Sequence, residues 1–206
     1  MSFASADRVV ARIPLLWRAL AAIVLLCGVL LALVESRAGI LRSGTEVRLR
    51  TVPVDPRDLF RGDYVVLSYA IGTVPARLEA GEAPFRRGET VFVTLERDGD
   101  GFARATGAFR RRPSAAPGTV VIAGRVVSVG ACALRDDGSS DCGAGRDRLR
   151  VAYGLESYFV PQGSGRAIET TDRARIEVVA AVAASGEAAI KRLLVDGKLV
   201  HAEPPY

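Results

Sequence analysis

Thr90-Val91-Phe92-Val93-Thr94-Leu95-Glu96-Arg97, then Asp98-Gly99-Asp100-Gly101, then residues 102–112, is the stretch on which the fold turns. The first eight residues alternate around Phe92 and Leu95, as a strand with one buried face does. The Asp-Gly-Asp-Gly run is a strong turn signal, so the stretch predicts a β-hairpin. The same grammar repeats outward. Residues 120–129 and 149–153 are β-branched or apolar runs, separated by a Gly-, Asp- and Ser-rich loop. Residues 176–182, 188–195 and 199–202 are parted by the turn dipeptides Ser185-Gly186 and Asp196-Gly197, which predicts a closing meander. Upstream, residues 46–54 read as a strand ending at Asp55-Pro56, and 64–71 as another rich in Val, Leu and Tyr. Residues 80–88 and 112–118 read as loops, and only 166–173 suggests two helical turns. The expectation is a mostly β, sandwich or barrel-like ectodomain with one short helix, preceded by a single N-terminal transmembrane helix.

The N-terminal helix is read from residues 13–34, which are apolar except for Arg18 and long enough to span a bilayer. Arg18 lies one turn inside the edge, where its stem reaches the headgroups while Trp17 sits at the interface. Arg8, Arg12 and Arg18 crowd the N-terminal side, so the positive-inside bias places that arm in the cytoplasm. The expected layout is a cytoplasmic arm over 1–13, an anchor in the bilayer over 14–34, and an extracytoplasmic β-rich domain over 39–206, facing the periplasm or exterior. A cleaved signal peptide is the rival, because Ser36-Arg37-Ala38 offers small residues at suitable offsets. The long apolar run and the charged Glu35-Ser36-Arg37 segment favour retention. Leu26 before Cys27 does not suit a lipoprotein box.

Composition excludes little else. The formal net charge is +5, with Lys191 and Lys198 the only lysines, so the basic residues are overwhelmingly arginine. No basic patch for phosphate backbones is evident, and nucleic acid is not an expected partner. The densest run, Arg110-Arg111-Arg112, reads as a solvated strand end.

The most distinctive segment runs from Pro53 to Tyr69 and contains Asp58, Arg61 and then Gly62-Asp63-Tyr64-Val65-Val66-Leu67-Ser68-Tyr69. Gly62, Asp63, Tyr64, Leu67 and Tyr69 supply every fixed letter of GDYxxLxY, and the chain thereby resembles the GDYXXLXY family of membrane-anchored bacterial proteins. Residues 153–161, with Glu156 and Tyr158, are also similar to that family. The resemblance implies an anchored external domain, often associated with a multi-spanning membrane protein. It carries over no catalytic residues. Physically, Gly62 permits a tight turn and Asp63 can accept backbone N–H bonds at a strand start. Tyr64 and Tyr69, five apart, would fall on opposite faces of an ideal strand. Tyr64-x-x-x-Ser68-Tyr69 and Tyr153-x-x-x-Ser157-Tyr158 share a spacing, which raises two related half-domains as a reading. Asp58, Arg61, Gly62, Asp63, Tyr64, Leu67, Tyr69, Glu156 and Tyr158 are therefore the candidate binding residues.

Cys132 and Cys142 enclose nine residues in a loop expected outside the cytoplasm, where such a pair oxidises to a disulfide. A metal or other cofactor is not expected, since His201 is the only histidine. A histidine-based triad would have to use that residue, and a Ser–Lys hydrolase would need Lys191 or Lys198. Two function classes remain. One is an accessory or binding protein working with a multi-spanning partner, and the other is an envelope hydrolase using the carboxylates of Asp58, Asp63 and Glu156.

Overall fold

The computed structural model of the protein describes residues 14–52, 64–78, 82–130, 133–134, 140–141, 148–159 and 175–204. The chain divides into two compact units, Met1–Gly39 and Ile40–Tyr206. Within the first, helix α1 begins at Leu15, and its large apolar side chains through Val34 are exposed, Leu15 at 77% and Leu31 at 69%. A helix bare and apolar on all sides requires apolar surroundings. It is long and apolar enough to cross a membrane.

α1 continues to Ser43, beyond the end of the apolar run. Gly44 stops it: its N–H donates to the Ile40 carbonyl (2.9 Å), and a Cβ there would come within 2.5 Å of that oxygen. Ile40 and Leu41 pack on Ala181 and Ala189, whose small side chains let the last helical turn approach the sheet.

The β-domain holds two main sheets. The antiparallel four-stranded sheet has the order β1 (Thr45–Arg50), β11 (Ile176–Val182), β12 (Ala188–Val195) and β13 (Lys198–Ala202). β11 is apolar at every position except Glu177, as suits a strand paired on both edges and covered on both faces. The five-stranded sheet has the order β3 (Thr73–Pro75), β9 (Arg148–Ala152), β6 (Thr119–Val129), β4 (Thr90–Arg97) and β5 (Ala103–Phe109). A parallel bridge between Ala76 and Ala108, with the Arg77 N–H donating to the Ala108 carbonyl (2.9 Å), joins its two edges into a nearly closed, barrel-like sheet. Two short antiparallel pairs complete the set: β2 (Tyr64–Val66) with β10 (Ser157–Phe159), and β7 (Ala133–Leu134) with β8 (Ser140–Asp141). Both main sheets feed one apolar core, in which Leu49, Val178 and Leu193 meet Val91, Val93 and Ile122.

The expected hairpin is β4–β5, turned by Asp98, whose Oδ1 accepts from the N–H groups of Asp100 (3.0 Å) and Phe102 (2.8 Å). The expected meander is β11–β12–β13. Two expectations need correction. Strand character over 64–71 stops at Val66, and the backbone then changes partners residue by residue. Leu67 N–H donates to the Glu156 carbonyl (2.8 Å), the Ser68 carbonyl accepts from Val52 N–H (2.9 Å), Tyr69 bridges Thr51, and Ala70–Gly72 forms a 3₁₀ turn. The opposite-face argument for Tyr64 and Tyr69 therefore fails, because no continuous strand joins them. In the second case, Arg110 is not simply solvated: it pairs with Glu89 and Glu82 and stacks over the buried Phe85 ring at 4.7 Å. That clamp pins the 82–89 loop to β5. The helical turns expected at 166–173 lie outside the described residues.

Candidate functional site

Where the motif segment leaves β2 it meets the segment between β9 and β10, and two tyrosines exchange hydrogen bonds across the junction. The Tyr69 hydroxyl donates to the Leu155 carbonyl (2.6 Å), and the Tyr153 hydroxyl donates to the Ile71 carbonyl (2.7 Å). Each phenol thus reaches the carbonyl two residues beyond the other. Thr51 adds a third such bond, its hydroxyl donating to the Ile176 carbonyl (2.7 Å). All three hydroxyls are buried, and each serves a carbonyl where the chain is changing ladder partners. Buried carbonyls in such places would otherwise lack donors.

Burial, reinforced by the nearby Glu156 charge, pushes both phenols well above the ordinary tyrosine range. They remain protonated donors at neutral pH, unsuited to act as bases or nucleophiles. Glu156 accepts from the N–H groups of Tyr153 (2.6 Å) and Gly154 (2.9 Å), one on each carboxylate oxygen. It caps a turn that Gly154 makes at φ +76, a left-handed conformation suited to glycine. A cavity of about 100 Å³ lies beside this junction, lined in part by Ser68, Tyr69, Thr73, Arg150 and Glu156. It has room for a few water molecules.

The structure brings Leu67, Tyr69 and Glu156 of the sequence candidates together. Leu67 is a core residue, 1% exposed. Tyr64 and Tyr158 lie in the paired strands β2 and β10, where Tyr64 faces Phe159 and Tyr158 faces Val65 in the antiparallel register. Asp58, Arg61, Gly62 and Asp63 lie outside the described residues, as do Cys132 and Cys142. The shared spacing aligns Tyr64 with Tyr153 and Tyr69 with Tyr158, whereas the hydrogen-bond exchange pairs Tyr69 with Tyr153, in segments that run antiparallel where β2 meets β10. Sequence reasoning placed Tyr153 in the family-like segment and the shared spacing but not among the candidate binding residues, and it did not single out Thr51. The recurring Tyr-small-aliphatic pattern, Tyr69-Ala70-Ile71 and Tyr153-Gly154-Leu155, was the available signal.

A larger cleft of about 710 Å³ opens at one end of the domain, where β1 begins and β11 ends. Its lining joins the buried Val47, Leu95, Val121 and Val182 with the charged residues Glu46, Arg48, Glu96, Arg97 and Arg112. Among the described residues no group of three or more His, Cys, Asp or Glu could hold a metal ion.

Residues 26–193 match the family model described as GDYXXLXY protein. No curated protein and no solved structure matches the chain. The family match takes in the motif, the tyrosine exchange, the five-stranded sheet and most of the four-stranded sheet as far as Leu193 in β12, and the chain belongs to the GDYXXLXY protein family.

Proposed function

We propose that the protein is an envelope accessory or binding protein, held in the bacterial inner membrane by a single retained helix, that presents its β-domain in the periplasm to a multi-spanning membrane partner. The observation that carries this reading is the pairing of a bare apolar helix with a domain in which the side chains of Tyr69, Tyr153 and Glu156 all bond backbone atoms. Placing residues 1–13 in the cytoplasm rests on Arg8, Arg12 and Arg18. The commitment of both Glu156 oxygens to N–H groups weighs against the alternative, a hydrolase using Asp58, Asp63 and Glu156. An oxidising compartment also favours a Cys132–Cys142 disulfide. Support for it comes from the antiparallel pairing of Ala133 with Asp141, the sequence neighbours of the two cysteines.

Crosslinking in native membranes, followed by purification and mass spectrometry, tests the partner. A multi-spanning protein recovered in proportion supports the reading, and a lone monomer defeats it. Phosphatase and fluorescent-protein fusions at the C-terminus report orientation, with phosphatase activity expected. An N-terminus at Gly39 in the mature chain would refute the retained anchor. Thiol labelling after denaturation without reductant should modify neither Cys132 nor Cys142.

A further inference from the structure

We propose that the 710 Å³ cleft is a binding site for a single-chain anionic amphiphile of the fatty-acid class, with the alkyl chain on the cleft floor and the headgroup at Arg97 and Arg112. Buried Val47, Leu95, Val121 and Val182, with half-buried Val120, give the floor its apolar character. The volume falls within the roughly 300–1,000 Å³ of small-molecule sites, room for one alkyl chain with its headgroup. Of the lining strands, β4 and β6 are already paired there, Leu95 with Val120 and Glu96 with Thr119, and β1 is a sheet edge on which a peptide could add. An alkyl chain needs no such backbone partners.

The charges at the edge sort into spent and available. Glu46 is engaged by Lys191 (2.9 Å) and Arg192 (2.5 Å), and Arg48 by Glu177 (2.7 Å) while it stacks over Phe102. Arg97 and Arg112 make no ion pair among the described residues, and both are exposed. Glu96 is the one other charged residue of the lining, so the available charge favours an anion. The last helical residue, Ser43, also lines the cleft. Chain connectivity alone keeps Ser43 within about 30 Å of Val34, where the apolar run ends. Delivery of the amphiphile from a bilayer rests on the anchored reading above, whereas the chemistry of the cleft does not.

The test uses the full chain in phosphatidylcholine nanodiscs with a diazirine-bearing hexadecanoate, followed by mapping of the labelled peptides. Adducts are expected on peptides containing residues 45–48, 95–103 or 118–121. The double substitution Arg97→Glu/Arg112→Glu should lower their yield about tenfold, the loss of two attractive charges. Val120→Trp, which fills the floor, should lower it similarly with the edge charges intact. A neutral diazirine-bearing hexadecanol should label the cleft several-fold less than the acid. Adducts confined to residues 15–34 and unchanged in both variants would overturn the proposal. Cleft adducts from a two-chain diazirine phosphatidylglycerol alone would overturn the single-chain assignment. Alkaline carbonate extraction of the same protein reports anchoring separately, so a failed cleft is distinguishable from a failed anchor.

Discussion

The tyrosine junction and the outer face of the four-stranded sheet both use polar groups to tie distant parts of the chain, in opposite ways. At the junction the donors are neutral, buried and aimed at backbone carbonyls. On the sheet, Glu46 of β1 meets Lys191 and Arg192 of β12, and Arg48 meets Glu177, as exposed ion pairs. A buried hydroxyl cannot be removed without stranding its acceptor, whereas water readily replaces a lost surface partner. Irregular chain crossings are therefore fixed by uncharged groups, and the regular ladder is only trimmed by charge.

The strongest challenge to this contrast is removal of one junction hydroxyl. Tyr153→Phe or Tyr69→Phe should each cost about 1–3 kcal/mol by stranding the Ile71 or Leu155 carbonyl. Thermal unfolding of the full chain in detergent measures this, and a cost below about 0.5 kcal/mol for either would erase the distinction. The same phenols set an alkaline limit. Their folded pKa values lie above the unfolded value of about 10, so their stabilisation is full below that pH and is lost as pH rises beyond it. Melting temperature should fall above about pH 10, and less steeply in the two Phe variants.

Glu156→Ala should cost about 1 kcal/mol by freeing the Tyr153 and Gly154 N–H groups, with Glu156→Gln milder because one acceptor remains. Equal melting for wild type and both variants would show that water caps the turn as well. The smallest effect belongs to the sheet face. Glu46→Gln should cost about 0–1 kcal/mol and less in high salt. Hydrogen bonding to Lys191 holds the Glu46 carboxyl below its usual range, so its contribution is present above about pH 4.3 and disappears as pH falls through the folded value. A salt-independent loss larger than that of Tyr153→Phe would reverse the ranking.

The strands most legible in sequence were those bounded by local turn chemistry. Asp98-Gly99-Asp100-Gly101, Ser185-Gly186 and Asp196-Gly197 each announce a reversal, and hairpin pairing follows from adjacency. Leu67 to Ile71 reads as strand because its apolar composition suits a ladder. What ends the strand is a change of partner to residues 51–52 and 156, which local periodicity does not encode. Phe85 and Arg110 were missed for a related reason: a ring in a Pro- and Gly-flanked loop reads as exposed until a distant guanidinium is found covering it. The motif was visible as letters, but the role of Tyr69 depends on Leu155, far along the chain.

The pairing of β1 with β11, from Thr45 opposite Val182 to Arg50 opposite Glu177, has a consequence for the order of assembly. β1 is synthesised directly after the helix, and its ladder partner is made more than a hundred residues later. At about 5–20 residues per second, β1 waits for on the order of ten seconds with its backbone edge unpaired. Val47 and Leu49, which end in the core, are without their cover during that interval. Loop closure over such a separation is slow and comes late. The strand nearest the helix is thus among the last to dock, and a chain cut short before β11 leaves it with a sticky edge and no place to go.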